Sequence, residues 1–477
     1  MQELEYEEIQ GIILSGYVKK RFAAYSLLRI RSRAGAQSYL RWLEARLTTG
    51  DQRPEDVCHN VAITATGLRA LGLGEETLAT FPRELVEGMA GTAKRSEILG
   101  DTGASAPEQW LWGGPGNQVD VLLMVFAHRP DQLDHALQEH RRRQQDGLEE
   151  VYFRSTEMLP ERREHFGFAD GITQPQIKET GRHLTGIECL RAGEFILGYE
   201  NEYGKVPFSP SVAEDPRANR LLHTNGQNGR RDLGRNGSYL VVRQLDQHVA
   251  AFWRSMLDQA DGDERLAVRL AAKCVGRWPG GAPLTLSPDE DDPSLHSAND
   301  FLYRDRDESG RGCPIGAHIR RANPRDSLGS SAKESLKISA RHAIIRRGRS
   351  YGPELPRFAA DEGEEQERGL FFICVNANIA RQFEFIQQTW LDNPKFGGLH
   401  DGRDPLMSGA DDNDHRIPGD PVRRRLTHLP RFTRVRGGGY FFLPSRAALR
   451  YLGQQAEAPL GADLPRTVAA HHAPGAQ

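Results

Sequence analysis

Three stretches combine residue types that do acid–base or ligand chemistry. The first is His165-Phe-Gly-Phe-Ala-Asp170-Gly171-Ile-Thr-Gln-Pro175. An acid set between aromatic neighbours and a glycine can be held in a tight turn and partly desolvated. Desolvation disfavours the charged form and raises a carboxyl from its ordinary value of about 3.9, toward the range useful for proton transfer. An Asp-Gly turn whose carboxylate only caps nearby N–H groups is the commoner use of such a pair. The second stretch is Cys313-Pro-Ile-Gly-Ala-His318-Ile-Arg320-Arg321-Ala-Asn-Pro324-Arg325. Here an imidazole could bind a metal while guanidinium forks hold an anionic group. Taken alone, a surface histidine beside solvated arginines is the simpler account. The third is His342-Ala-Ile-Ile-Arg346-Arg347-Gly348-Arg349-Ser-Tyr351-Gly352-Pro353. If this is a strand, Arg346 and Ile344 share a face, which sets a cation against the core and calls for an anionic or polar partner. An edge strand with its arginines in water is the alternative. Gly369-Leu370-Phe371-Phe372-Ile373-Cys374 reads as a core strand, and secondarily as a wall for a flat apolar ligand.

Elements must bring these stretches together. Residues 24–30 and 58–64 read as strands, with apolar residues at helical spacing over 36–47 between them. The nearly continuous apolar run Val119 to Ala127 suits a buried strand. A helix over 131–143, introduced by Pro130, and an alternating strand over 149–155 follow. The order β-α-β-β-α-β recurs in strand 238–243, helix 245–259, strands 342–347 and 370–375, helix 380–391 and strand 439–443. This is the order of the split βαβ, or ferredoxin-like, unit. The expected fold is therefore α+β, two ferredoxin-like modules of antiparallel sheet and helices. The expected units are 1–160, a connecting segment 161–237 carrying Asp170, a second module 238–455 and a mobile Ala/Pro-rich tail 456–477. About 80 irregular residues, 260–341, interrupt the second module and contain His318; long structureless insertions of this kind are usually functional or disordered.

The 477 residues carry 62 Lys+Arg against 65 Asp+Glu, for a net charge of −3. Only nine of the basic residues are lysines, but near-neutrality and the acidic runs 289–292 and 361–367 argue against a nucleic-acid-binding face. No apolar run is long enough for a membrane span. The acidic N-terminus lacks the pattern of a secretory signal, so a cytoplasmic protein is expected. Five scattered cysteines without a CxxC pair suggest neither zinc nor disulfides, and the lack of CxxCH excludes thioether-attached haem. HExxH, the mark of one class of metal hydrolase, is also missing.

Together these segments resemble the dye-decolorizing peroxidase family, most closely its larger fungal and long bacterial members. The resemblance runs from Ile9-Gln10-Gly11-Ile12-Ile13 to Gln382-Phe383-Glu384-Phe385-Ile386-Gln387. It is strongest at Gly167-Phe168-Ala169-Asp170-Gly171, which fits the family's GxxDG signature, and at Gly316-Ala317-His318-Ile319-Arg320. It implies haem b, bound non-covalently in the second module, with His318 as the iron ligand and His165 and His342 as rivals. It implies Asp170 as distal acid/base and Arg346, or its neighbour Arg347, as distal arginine. Leu370 and Phe372 would form the distal apolar wall, Arg320 and Arg325 would hold propionates, and Glu384 would be the carboxylate partner of His318. The implied activity is reduction of hydrogen peroxide through a ferryl intermediate, with electrons from dyes, phenols or other small aromatic donors and an acidic optimum. Trp253, Trp278, Trp390, Tyr351 and Tyr440 are possible electron relays. A haem-binding or iron-handling protein with incidental turnover is the alternative. Sequence gives no oligomeric state and no physiological reductant.

Overall fold

A computed structural model describes residues 3–181, 186–224, 229–359 and 366–454. The stretch 456–477, expected to be a mobile tail, lies outside the described residues. The centre of the molecule is one nine-stranded antiparallel sheet. Its strands are β1 (Phe22–Ile30), β2 (Val57–Ile63), β3 (Val121–Ala127), β4 (Leu148–Glu157), β5 (Ser238–Gln247), β6 (Ile345–Arg346), β7 (Arg349–Tyr351), β8 (Gly369–Asn376) and β9 (Thr433–Leu443). Their order across the sheet is β6-β8-β5-β9-β2-β3-β1-β4, with β7 pairing the far end of β8. Within each half, the fourth strand flanks the first and the second flanks the third, which is the ferredoxin-like arrangement twice over. The halves join where Phe442 of β9 pairs with Ile63 of β2.

All seven residues of β3 are buried. Val121, Leu123, Val125 and Ala127 enter the core on one face, and Leu122, Met124 and Phe126 enter the core on the other. Burial on both faces explains the uninterrupted apolar run. Helices α1 (Arg33–Glu44) and α2 (Pro130–Gln144) contribute Leu40, Leu43, Leu133 and Leu137 to the first of these cores. Pro130 opens α2, where its missing N–H costs nothing. The side chain of Gln10 is stitched across the modules: Nε2 donates to the carbonyls of Val61 (2.8 Å) and Pro444 (2.9 Å), while Oε1 accepts from Val61 N at 3.0 Å.

Three expectations are corrected. β5 runs on to Gln247, so the next helix, α3, spans Val249–Gln259 and excludes Leu245. The segment 260–341 is not irregular throughout, since it holds α4 (Glu264–Val275), α5 (His318–Ala322) and most of α6 (Ala332–His342). His342 therefore ends a helix instead of starting a strand. Ser331 caps that helix by accepting from Glu334 N, and the strand that follows breaks at Gly348 into β6 and β7. No helix of the described residues is long and apolar enough to cross a membrane.

Candidate active site

The second module carries a cavity of about 280 Å³ built on one face of its sheet. Arg243, Leu245 and Gln247 alternate along β5, and Leu370 and Phe372 along β8, all toward the cavity. Leu370 pairs with Leu245 and Phe372 with Arg243, so the wall is a patch of adjacent side chains. Arg346 of β6 pairs with Cys374, two residues beyond Phe372, and so falls on the same face. Ile344 lines the cavity with it, whereas Arg347 donates to the carbonyls of Ile12 (2.6 Å) and Ile13 (2.7 Å).

Asp170 reaches this wall from the loop before the second module. Arg346 Nη1 donates to Asp170 Oδ1 at 3.1 Å, with the two side chains 35% and 40% exposed, so the pair opens onto the cavity. The guanidinium is aimed by its Nη2 on the carbonyl of Thr173 (3.1 Å), and its backbone N–H donates to Gln174 Oε1 (3.0 Å).

His318 starts α5 and also lines the cavity. Its Nδ1 donates to Asp404 Oδ2 at 2.9 Å. Asp404 is completely buried, and its Oδ1 accepts from the N–H groups of Leu406 (2.9 Å) and Met407 (2.8 Å). Burial works against charge on both partners, but each overcomes it through the other. The carboxylate holds the imidazole above its ordinary range, and the imidazole and backbone donors hold Asp404 below the usual carboxylate range. Nε2 is left without a hydrogen bond among the described residues.

Two expected residues lie elsewhere. Arg320 is buried away from the cavity, where Nη1 donates to the carbonyls of Asp307 (2.9 Å) and Cys313 (2.8 Å) and the guanidinium lies over Tyr303 at 4.4 Å. Both of its Nη groups are spent on the carbonyls of the 307–313 loop. Glu384 does not contact His318; it accepts from Tyr440 OH at 2.7 Å and pairs with Arg95. Asp404 takes the place expected for it. Arg325 does line the cavity, with its donors on Asn299 and the Phe301 carbonyl and Glu188 at 3.4 Å. Of the rival histidines, His165 Nε2 is tied to the Tyr351 carbonyl at 2.8 Å and burial pushes its pKa down to about 4. His342 lines the cavity but stacks on Phe385 at 3.8 Å, with Nδ1 on the Arg381 carbonyl.

Comparison with models of known protein families gives no match. Comparison with curated proteins does: the chain is 30% identical to peroxidase 2 of Mycetinis scorodonius, over 94% of this chain and 87% of the relative. It is 30% identical to a dye-decolorizing peroxidase of Auricularia auricula-judae, over 94% and 86%. The chain belongs to the dye-decolorizing peroxidase family. The crystal structure of the Auricularia auricula-judae enzyme overlays with a TM-score of 0.77 at 27% identity, covering 95% of this chain and all of that one.

Dye-decolorizing peroxidases are haem enzymes, and the donor set of the cavity fits that group. An imidazole with one nitrogen anchored and the other open suits an axial iron ligand. Ile319, Ile344, Leu370, Phe372, Ile386 and Leu406 provide apolar surface for a flat macrocycle. The partner of His318 escaped sequence reasoning. Its only local signal is Asp404-Pro405, a common turn pair.

Proposed function

We propose that this peroxidase holds haem b non-covalently through His318 and reduces hydrogen peroxide with electrons from dyes or other small aromatic donors. The observation that carries the reading is the Asp170–Arg346 pair, open to the same cavity as an imidazole anchored by a buried carboxylate. Bound haem supplies the iron at which the O–O bond is cleaved. His318 Nε2 holds that iron, and Asp404, by accepting Nδ1–H, fixes the ring and makes it a more basic ligand. Asp170 accepts the proton from the bound peroxide through a carboxylate oxygen and returns it to the departing oxygen. Arg346 presents its guanidinium to the charge that develops there, already oriented by the Thr173 carbonyl and by Asp170. Leu370 and Phe372 keep water and bulky donors from the reacting atoms.

The test is an absorption spectrum of haem-loaded protein followed by stopped-flow mixing with peroxide. The Soret band of wild type should change promptly. Asp170→Asn should slow that change by about 100- to 10,000-fold, the usual contribution of a positioned acid–base group, while leaving haem bound. A Soret band indifferent to peroxide in wild type would favour a haem-handling protein. Unchanged kinetics in both Asp170→Asn and Arg346→Leu would refute the roles given to that pair.

A further inference from the structure

The loop that presents Asp170 is wound around a second carboxylate. Glu164 N donates to the Phe168 carbonyl at 2.9 Å, Gly167 N donates to the Glu164 carbonyl at 2.8 Å, and Arg163 bridges to Ala169. Gly167 turns the tip of this hairpin with φ of +89°, a conformation suited to glycine. Within it, Glu164 Oε2 accepts from Phe166 N at 2.9 Å, and Oε1 accepts from Phe168 N at 3.0 Å. Immediately after the hairpin, Asp170 N donates to the Arg162 carbonyl at 2.9 Å, so the hairpin sets where Asp170 begins. The fifth tie comes from the sheet: Gln247 Nε2 of β5 donates to Glu164 Oε2 at 2.7 Å. Gln247 Oε1 is buried with no hydrogen-bond partner. Glu164 and Gln247 both line the cavity.

We propose that Glu164 and Gln247 form a proton-exchanging clamp that positions Asp170. Ionised Glu164 accepts from the Gln247 amide, as seen here. When Glu164 takes a proton, the amide turns over, and its unsatisfied oxygen accepts the new O–H in the place Nε2 now occupies. Each state satisfies the buried groups that the other strands, so the hairpin survives both, and what changes is the charge beside Asp170. Glu164 is thus a positioning residue, and its role rests on Asp170 acting in the peroxide step.

The surroundings support a proton exchange near neutrality. Burial pushes the Glu164 carboxyl up to about 7, outweighing the N–H groups of Phe166 and Phe168 and the Gln247 amide; the charge of Asp170 adds to the rise. Arg357 faces the hairpin from the 353–359 segment, with Nη2 on the Gly167 carbonyl at 3.3 Å. Arg163 places Nη1 on the same carbonyl at 2.8 Å and pairs with Glu161. His165 points to the Tyr351 carbonyl and stays neutral. On β5, Arg243 is paired with Asp101, and Asp246 with Arg436.

The test is an infrared pH titration of the haem-loaded protein, following the carbonyl stretch of a protonated carboxyl group in wild type, Glu164→Gln and Gln247→Leu. Wild type should show a band lost with a midpoint near 7, and Glu164→Gln should lack it. Gln247→Leu should move the midpoint up by about one pH unit or more, the size expected for losing a hydrogen bond to a charged group. A wild-type midpoint below about 5, or one that Gln247→Leu leaves in place, overturns the clamp. In stopped flow, the peroxide step of wild type should bend at the same pH, and that of Glu164→Gln, neutral throughout, should not. If Asp170→Asn is slow while wild type and Glu164→Gln share one pH profile, the clamp fails and the role of Asp170 stands. If Asp170→Asn is as fast as wild type, the role of Asp170 fails, and the infrared midpoints still decide whether Glu164 and Gln247 exchange a proton.

Discussion

Each ferredoxin-like module buries histidine, and the two sites behave in opposite ways. In the first module His140 sits between Tyr39 OH (2.9 Å from Nδ1) and His59 (3.0 Å from Nε2), with Gln144 donating to the tyrosine oxygen at 3.1 Å. Among the described residues no carboxylate hydrogen-bonds to this chain, and burial outweighs the nearby charge of Glu139 and pushes His59 down to about 4 and His140 to about 3. In the second module His318, 28% exposed at the cavity, also loses solvation, but Asp404 outweighs that loss and the pKa of His318 moves the other way. Burial alone produces a neutral imidazole that serves as a core spacer. Burial with a carboxylate behind the ring orients the imidazole and makes it more basic, which suits the ligand role proposed for His318.

The largest expected break is His318→Ala, which should abolish the tight phase of a haem titration while His140→Gln leaves it intact. Asp404→Asn comes next. It keeps a hydrogen-bond acceptor but removes the charge, and haem affinity or the peroxide step should fall about 10- to 100-fold, as for other partners of ligating histidines. Equal behaviour of Asp404→Asn and wild type would erase the distinction between the two sites. In the first module Tyr39→Phe should cost about 1 to 3 kcal/mol in denaturant unfolding, because the buried His140 and Gln144 lose their common partner. The rate per bound haem should be unchanged. The smallest effect is on pH. Above 6.5, the ordinary histidine value, His59 and His140 are neutral whether folded or not. As pH falls toward 4, the unfolded chain gains protons that the folded chain refuses, so stability drops. His140→Gln should flatten that part of a plot of Tm against pH.

Much of this was legible in the sequence because it depends on local pattern. The run at β3, the proline opening α2 and the alternation along β4 each fix an element within a few residues. Asp170, His318 and Arg346 are singled out by the resemblance to dye-decolorizing peroxidases, since taken alone an Asp-Gly turn or a histidine beside arginines has a commoner structural use. What could not be read depends on direction and distance in the chain. Asp404 lies 86 residues beyond His318, and an Asp-Pro turn gives no sign of which ring it will meet. Arg320 has suitable spacing but is turned inward by the carbonyls of Asp307 and Cys313. His342 reads as the start of a strand because its apolar neighbours hide the end of a helix that starts at a Ser331 cap.

The stitch made by Gln10 also sets a timetable. The strands of the first module are complete at Glu157, so that module can pair its own strands early in synthesis. Yet one of the carbonyls that Gln10 Nε2 needs belongs to Pro444, which follows directly after β9. The segment around Gln10 therefore cannot reach its final bonding until Pro444 has left the ribosome, and β9 is the strand that joins the two modules. Closing the cavity module and fastening the segment around Gln10 are one event, which comes after the strands of the first module have been made.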